Sequence, residues 1–253
     1  MALVSPKQVE EFYTQGFTYI PQVFTPAEMD EMDAAAEALH AAAEEQALKP
    51  RTGEQVDYKG SKITYGKNNN FIRHIAYCGN AEPVMLKYGR DPRILEIAAT
   101  ILESKQFDHM INQVHYKRPG SAVAFDWHQD SQHRGIDGGG FKDVDGRGSY
   151  VQILLAIDDS TPENGPLEFI PGSNKLGHLG GGDLSTKVDM SGRIAPPLKR
   201  GDIVAFGPYT IHGSEANLSN KSRRVFINGF AYPGANQRTF NYPNVGQRLT
   251  YAG

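Results

Sequence analysis

The sequence offers very little sulfur chemistry. Among its 253 residues Cys78 is the lone cysteine, so no internal disulfide can form. That excludes a cystine-stapled secreted scaffold and points to a reducing, cytoplasmic setting, with Cys78 read as a small buried residue. A dominant charge is missing too. Lys and Arg total 26 against 29 Asp and Glu, a net charge of -3, and no block of five like charges occurs. A nucleic-acid partner is therefore not expected. No stretch approaches the roughly 18 apolar residues of a membrane span. The opening MALVSPKQVEEFYTQGF lacks the apolar core of a secretion signal, and the closing LTYAG is not an organelle address.

What is present favours strands and turns. A hydrophobic share of 39% suffices for a sizeable core, and 27 Gly with 15 Pro imply many reversals of the chain. The first part nevertheless reads helical. Ser5 and Pro6 form an N-cap and first-turn pair, Val9, Phe12 and Tyr13 share a face, and Gly16 ends that helix. Thr18 to Ile20 read as extended. Thr25-Pro26-Ala27-Glu28 has capping-box spacing and opens a long helix with Met29, Met32, Ala36 and Leu39 as its apolar stripe. Residues 49–75 are polar and are expected to form an irregular loop. Asp91-Pro92 starts another helix, with Ile94, Leu95, Ala98 and Leu102 inward.

Beyond about residue 107 the period changes to two, with strand-like runs at 107–117, 123–129, 150–157, 167–170, 202–206 and 223–232. Short strands between turns indicate a sandwich or barrel. The expected fold is α+β: a single domain over 1–253, helical to about 105, with a jelly-roll core (a double-stranded β-helix, cupin-like) from about 106 to 235.

The densest chemistry lies in Phe125-Asp126-Trp127-His128-Gln129-Asp130. On a strand His128 and Asp130 would project to one face and could chelate a metal together. His212, in Tyr209-Thr210-Ile211-His212-Gly213-Ser214, supplies a second imidazole. Two His and one carboxylate form a facial triad that leaves adjacent positions open, as iron(II) oxygenases need. Taken alone, each histidine could as well be a hydrogen-bonded strand residue. Arg223, eleven residues after His212, adds a bidentate partner for a carboxylate; Ser214 lies on the His212 face and offers a hydroxyl. Arg224 must point the opposite way.

These motifs, with QVEEFYTQGFTYIPQVFTPAEMDEM, HYKRPG, LLAIDDSTPENGPLEFIPGSN and GDIVAFGPYTIHGS, resemble the phytanoyl-CoA dioxygenase family, which includes ectoine hydroxylase, across nearly the whole chain. The resemblance implies iron(II) held by His128, Asp130 and His212, and 2-oxoglutarate held by Arg223 and Ser214. It places Gln113 and His115 near the cosubstrate, His115 standing where relatives often carry Asn, and Gln152 at cosubstrate or substrate. O2 would be the second cosubstrate, with ascorbate in support. The implied reaction converts 2-oxoglutarate to succinate and CO2 while hydroxylating a small polar or anionic metabolite or a natural-product intermediate. Asp130 makes halogenation an unsuitable outcome.

The segment 131–149 follows the triad and carries six glycines. That segment reads either as a lid, with His133 and Arg134 reaching the substrate, or as a loop that is simply mobile, and Trp127 reads as a pocket wall or a core aromatic. Asp143 to Gly146 resemble the start of a calcium loop but lack its ligating Glu, and Gly180 to Gly182 lack a phosphate-binding pattern. A monomer or homodimer is expected. Competing readings are a jelly-roll binding protein with a vestigial metal site and a cupin-like metal isomerase. The first is disfavoured by the complete triad, and the second would leave Arg223 without a role.

Overall fold

The computed structural model of the protein describes residues 2–46, 54–66 and 71–253. The chain runs α1 (Pro6–Gln15), β1 (Phe17–Ile20), α2 (Pro26–Gln46), β2 (Gln55–Tyr58), β3 (Ser61–Tyr65), β4 (Ile72–Ala76), α3 (Pro83–Gly89) and α4 (Pro92–Leu102). It continues through β5 (Gln106–Lys117), β6 (Phe125–His128), α5 (Asp130–Arg134), β7 (Tyr150–Ala156), β8 (Glu168–Phe169), β9 (Ile203–Phe206), β10 (His212–Ser214), β11 (Arg223–Ala231) and β12 (Gln247–Thr250).

The helix starts form by the expected chemistry. Ser5 and Gln8 complete a capping box on α1, and Gly16 ends it in the left-handed region at φ 91°. On α2 the backbone N–H of Thr25 donates to Glu28 at 2.8 Å. Asp91 accepts from the Arg93 N–H at the start of α4.

Among the described residues the strands form two antiparallel sheets. The larger has the order β1-β9-β7-β11-β5-β4-β3-β2, with β12 also on β5; the smaller is β6-β10-β8. Period-two alternation sorts the faces of the large sheet. Val114, Tyr116, Ile153, Leu155 and Phe226 join Met29, Met32, Leu39, Ile94 and Ile97 in one core, so α2 and α4 cover that side. Leu154, Val204, Phe206, Val225 and Ile227 point the other way and pack with Phe169 of the small sheet.

Three expectations need correction. Residues 49–75 are not an irregular loop where described: β2, β3 and β4 extend the large sheet from β5, and β3 is buried at alternate residues, Ser61, Ile63 and Tyr65. The 49–53 and 67–70 parts of that expectation fall outside the described residues. Secondly, Asp130 does not share a strand with His128, because β6 ends there and Asp130 opens α5. Thirdly, much of 131–149 is tied down. Lys142 N–H donates to Ala235, Gln237 N–H to Gly140, and the Asp143 carboxylate accepts from the N–H groups of Gly146 and Gly148. Gly146 and Gly148 thus close a turn on Asp143.

Candidate active site

Between the two sheets lies a cavity of about 670 Å³. The large sheet presents Gln113, His115, Gln152, Leu154, Arg223 and Ile227 to it; the small sheet and α5 present Trp127, His128, Asp130, Arg134, His212 and Ser214.

Strand pairing brings the histidines together. His128 and His212 are direct partners across β6 and β10, their rings 4.3 Å apart. Each Nδ1 faces a backbone carbonyl two residues earlier, His128 that of Asp126 at 2.6 Å and His212 that of Thr210 at 2.9 Å. Those contacts fix the rings and turn both Nε2 atoms toward Asp130, whose Oδ1 is 3.9 Å from each. Asp130 Oδ2 is buried without a hydrogen-bond partner. One ligand atom from each of the three residues falls within 4.8 Å of the others. Two anchored imidazoles and a carboxylate with an orphaned oxygen suit a divalent ion with N and O preference.

The electrostatics agree. Burial, and then the neighbouring His212, push His128 down to about 4. Burial also lowers His212, so both rings are neutral at pH 7, the form in which an imidazole can ligate a metal. For Asp130 burial works toward the acid form, but His212, Arg134 and His128 outweigh it and hold the carboxyl below its usual range.

At the other end of the cavity Arg223 is buried, and its Nε donates to the Gly165 carbonyl at 3.1 Å. Arg224, one residue on, turns to the helical side and pairs with Asp158, Asp33 and Glu37. The sequence reading missed Lys117. It sits opposite Arg223 in the β5–β11 register, fully buried, and its Nζ donates to Gly165 O at 3.1 Å and Ser214 Oγ at 2.7 Å. Burial, and then the charge of Arg223, lower its pKa to about 6. Its parity with Gln113 and His115 was a usable signal, since alternate residues of one strand share a face. His115 stacks on Phe125 at 4.8 Å and is pushed well below its usual range by burial and by His74.

The remaining expected residues also border the cavity. Gln152 accepts from the hydroxyl of Tyr150, and Arg134 lies over the Tyr150 ring at 4.9 Å. His133 is 5.1 Å from the His128 ring. A loop beyond β8 closes against this rim. Gln129 donates to Gly177 O and Tyr209 O and accepts from Leu179 N–H, and Ser131 meets His178, which in turn meets Asp137.

The family model for phytanoyl-CoA dioxygenase matches residues 12–225. The chain belongs to the phytanoyl-CoA dioxygenase family. It is thus a 2-oxoglutarate-dependent dioxygenase, which removes the binding-protein and isomerase readings. Among curated relatives, L-proline trans-4-hydroxylase of Streptomyces griseoviridis is 27% identical over 66% of this chain and 69% of its own. Ectoine dioxygenase of Sphingopyxis alaskensis is 25% identical over 86% of this chain and 72% of its own. The crystal structure of apo EctD from S. alaskensis superposes with a TM-score of 0.74 at 23% identity, covering 96% of this chain and 88% of that one. SnoK, a carbocyclase from nogalamycin biosynthesis, gives 0.68 at 19% identity, covering 96% and 88%. Among the described residues no helix is long and apolar enough to cross a membrane.

Proposed function

We propose that residues 1–253 form one dioxygenase domain, its two facing sheets a double-stranded β-helix, that oxidises a small polar or anionic metabolite or a natural-product intermediate. The carrying observation is that a metal-competent triad and the buried Arg223 line one cavity, with Lys117 packed beside Arg223 behind that wall. In this reading His128, Asp130 and His212 hold iron(II). Arg223, Lys117 and Ser214 grip the distal carboxylate of 2-oxoglutarate, while Gln113 and His115 flank its length. Iron, when bound, supplies O2 activation coupled to decarboxylation of 2-oxoglutarate and oxidation of a substrate C–H bond.

The chain's own residues do the positioning. The Asp126 and Thr210 carbonyls hold the two rings in the tautomer that leaves Nε2 free. Arg223, joined by Lys117 once that amine takes up a proton, sets the direction in which a dicarboxylate enters. Phe125, Trp127, Leu167 and Ile227 keep the space between sheets poor in water, which strengthens every charged contact inside it. Gln152, Trp127, His133 and Arg134 form the substrate wall. The single cysteine suits the reducing cytoplasm.

The test is succinate formation. Purified protein with iron(II), ascorbate, O2 and 2-oxoglutarate is screened against amino acids, compatible solutes, phosphonates and other small acids. Succinate above the iron-free control with at least one compound is expected. None with any compound, on protein carrying one iron per chain, would overturn the reading.

A further inference from the structure

Several arginines here are held by partners where they lie. Arg224 has three carboxylates, Arg93 has Asp91 and Glu28, and Arg223 donates to the Gly165 carbonyl. Two arginines on the cavity wall break this pattern. Arg134 is 7% exposed, yet no hydrogen bond or ion pair among the described residues holds it, and its Nε is buried without a partner. Arg73, on β4, lies 4.3 Å over the Phe125 ring, and its Nε is likewise buried and unpartnered. The carboxylate within electrostatic reach of Arg73 is that of Asp126, which is exposed. Arg134 feels Asp130, but that carboxylate belongs to the metal triad. Arg73, His133 and Arg134 all line the same cavity.

A guanidinium cannot shed its proton in the working range of a protein. Burying one without a counter-ion is costly, and a fold that brings a buried Arg134 from α5 and a half-buried Arg73 from β4 to one cavity suits an anion that arrives later. Asp130 and Arg134 stand four residues apart on α5, so they occupy one helix face with about 5–6 Å between their Cβ atoms. An anion on Arg134 is therefore held about one helical turn from a metal ligand.

We propose that Arg134 and Arg73 form an oxyanion clamp and that the prime substrate is a short organic acid. Its carboxylate, phosphonate or phosphate sits between the two guanidiniums, and its carbon skeleton lies along Trp127 toward the triad. This deepens the dioxygenase reading and rests on it for the chemistry, but not for the binding.

Trp127 is the only tryptophan and lines the cavity, so its fluorescence reports occupancy. The protein is loaded with zinc and saturating 2-oxoglutarate, which fills the Arg223 end, and titrated with ethylphosphonate, propionate or propionamide. Saturable quenching by one or both anions, at least about tenfold tighter than by propionamide, is expected for charge-assisted contacts. A preference for ethylphosphonate identifies a tetrahedral oxyanion, and a preference for propionate a planar one. Arg134→Gln should weaken anion binding at least about tenfold and Arg134→Lys less. Arg73→Gln measures the second prong, and Arg200→Gln, at a surface pair with Asp30, should change nothing. Equal binding of propionamide and the anions, or unchanged binding in the folded Arg134→Gln and Arg73→Gln variants, overturns the clamp. Succinate formation by the same wild-type preparation with iron is scored separately. Its absence would count against the dioxygenase reading and leave the binding result to decide the clamp.

Discussion

Lys117 and Arg223 face one another across two adjacent strands and donate to a single acceptor, the carbonyl of Gly165. With Arg223 permanently charged and burial opposing a second cation, Lys117 is lowered to about 6 and is largely neutral at pH 7.5 while the site is empty. A bound dicarboxylate favours the charged amine. Binding of 2-oxoglutarate should therefore take up about one proton above pH 6, and affinity should fall by up to about tenfold per unit as pH rises from there. Calorimetry at pH 7.5 in buffers of different ionisation enthalpy measures that proton directly. Lys117→Met should abolish the uptake; a wild-type protein that takes up none would contradict the assignment.

Neighbouring arginines should fail in different ways. Arg223→Ala removes a buried cation from the cosubstrate end and should weaken 2-oxoglutarate binding by about 2–5 kcal/mol. Arg224→Ala instead strands Asp158 and Asp33 on the helical side, Glu37 keeping its pair with Arg118. It should lower fold stability by about 1–3 kcal/mol with little effect on the cosubstrate. Denaturant midpoints and 2-oxoglutarate titrations on both variants separate the outcomes, and the reverse pattern would mean the faces of β11 are exchanged.

Replacing His212 or Asp130 by Ala should reduce iron affinity and iron-dependent succinate release by more than about 100-fold, with the sheets intact by circular dichroism. Iron content after gel filtration, measured alongside turnover, distinguishes ligand loss from unfolding. Full activity in the His212→Ala protein is the result the assignment could not survive.

Gly229 lies on β11 where a Cβ would stand 1.9 Å from the hydroxyl of Tyr150. Gly229→Ala should displace that ring, which holds Gln152 and carries Arg134 on its face, and should cost about 1–3 kcal/mol by overpacking. Thermal unfolding reads the cost. Uncoupled succinate release should rise relative to product, because substrate-wall residues move while the triad does not.

The helices that begin with Ser5, Thr25 and Asp91 were legible because capping chemistry is local. The parity of Arg223 and Arg224 was legible because one face of β11 meets acids on α2 and the other meets the cavity. The described parts of 49–75 were misread because β2 and β3 are short strands with polar outward positions, paired through β4 to a β5 much later in the chain. Asp130 was placed with His128 on a strand, but α5 starts between them, and the carboxylate reaches the same point from a helix. Lys117 was overlooked because a lysine is ordinarily solvated; only the approach of Ser214 and Gly165 from elsewhere in the chain gives its Nζ partners.

Phe169 has its face 4.5 Å from Phe17 and its neighbours include Phe206 at 5.2 Å and His212 at 6.0 Å. It belongs to the small sheet and is clasped by aromatics of the large one, so it works as a pin through the seam. The triad hangs on one side of that seam and the cation pair largely on the other. Heat or a smaller side chain at 169 that lets the sheets breathe would pull the metal end from the carboxylate end before either sheet melts. The enzyme should then go silent, its secondary structure still whole, a few degrees ahead of its unfolding.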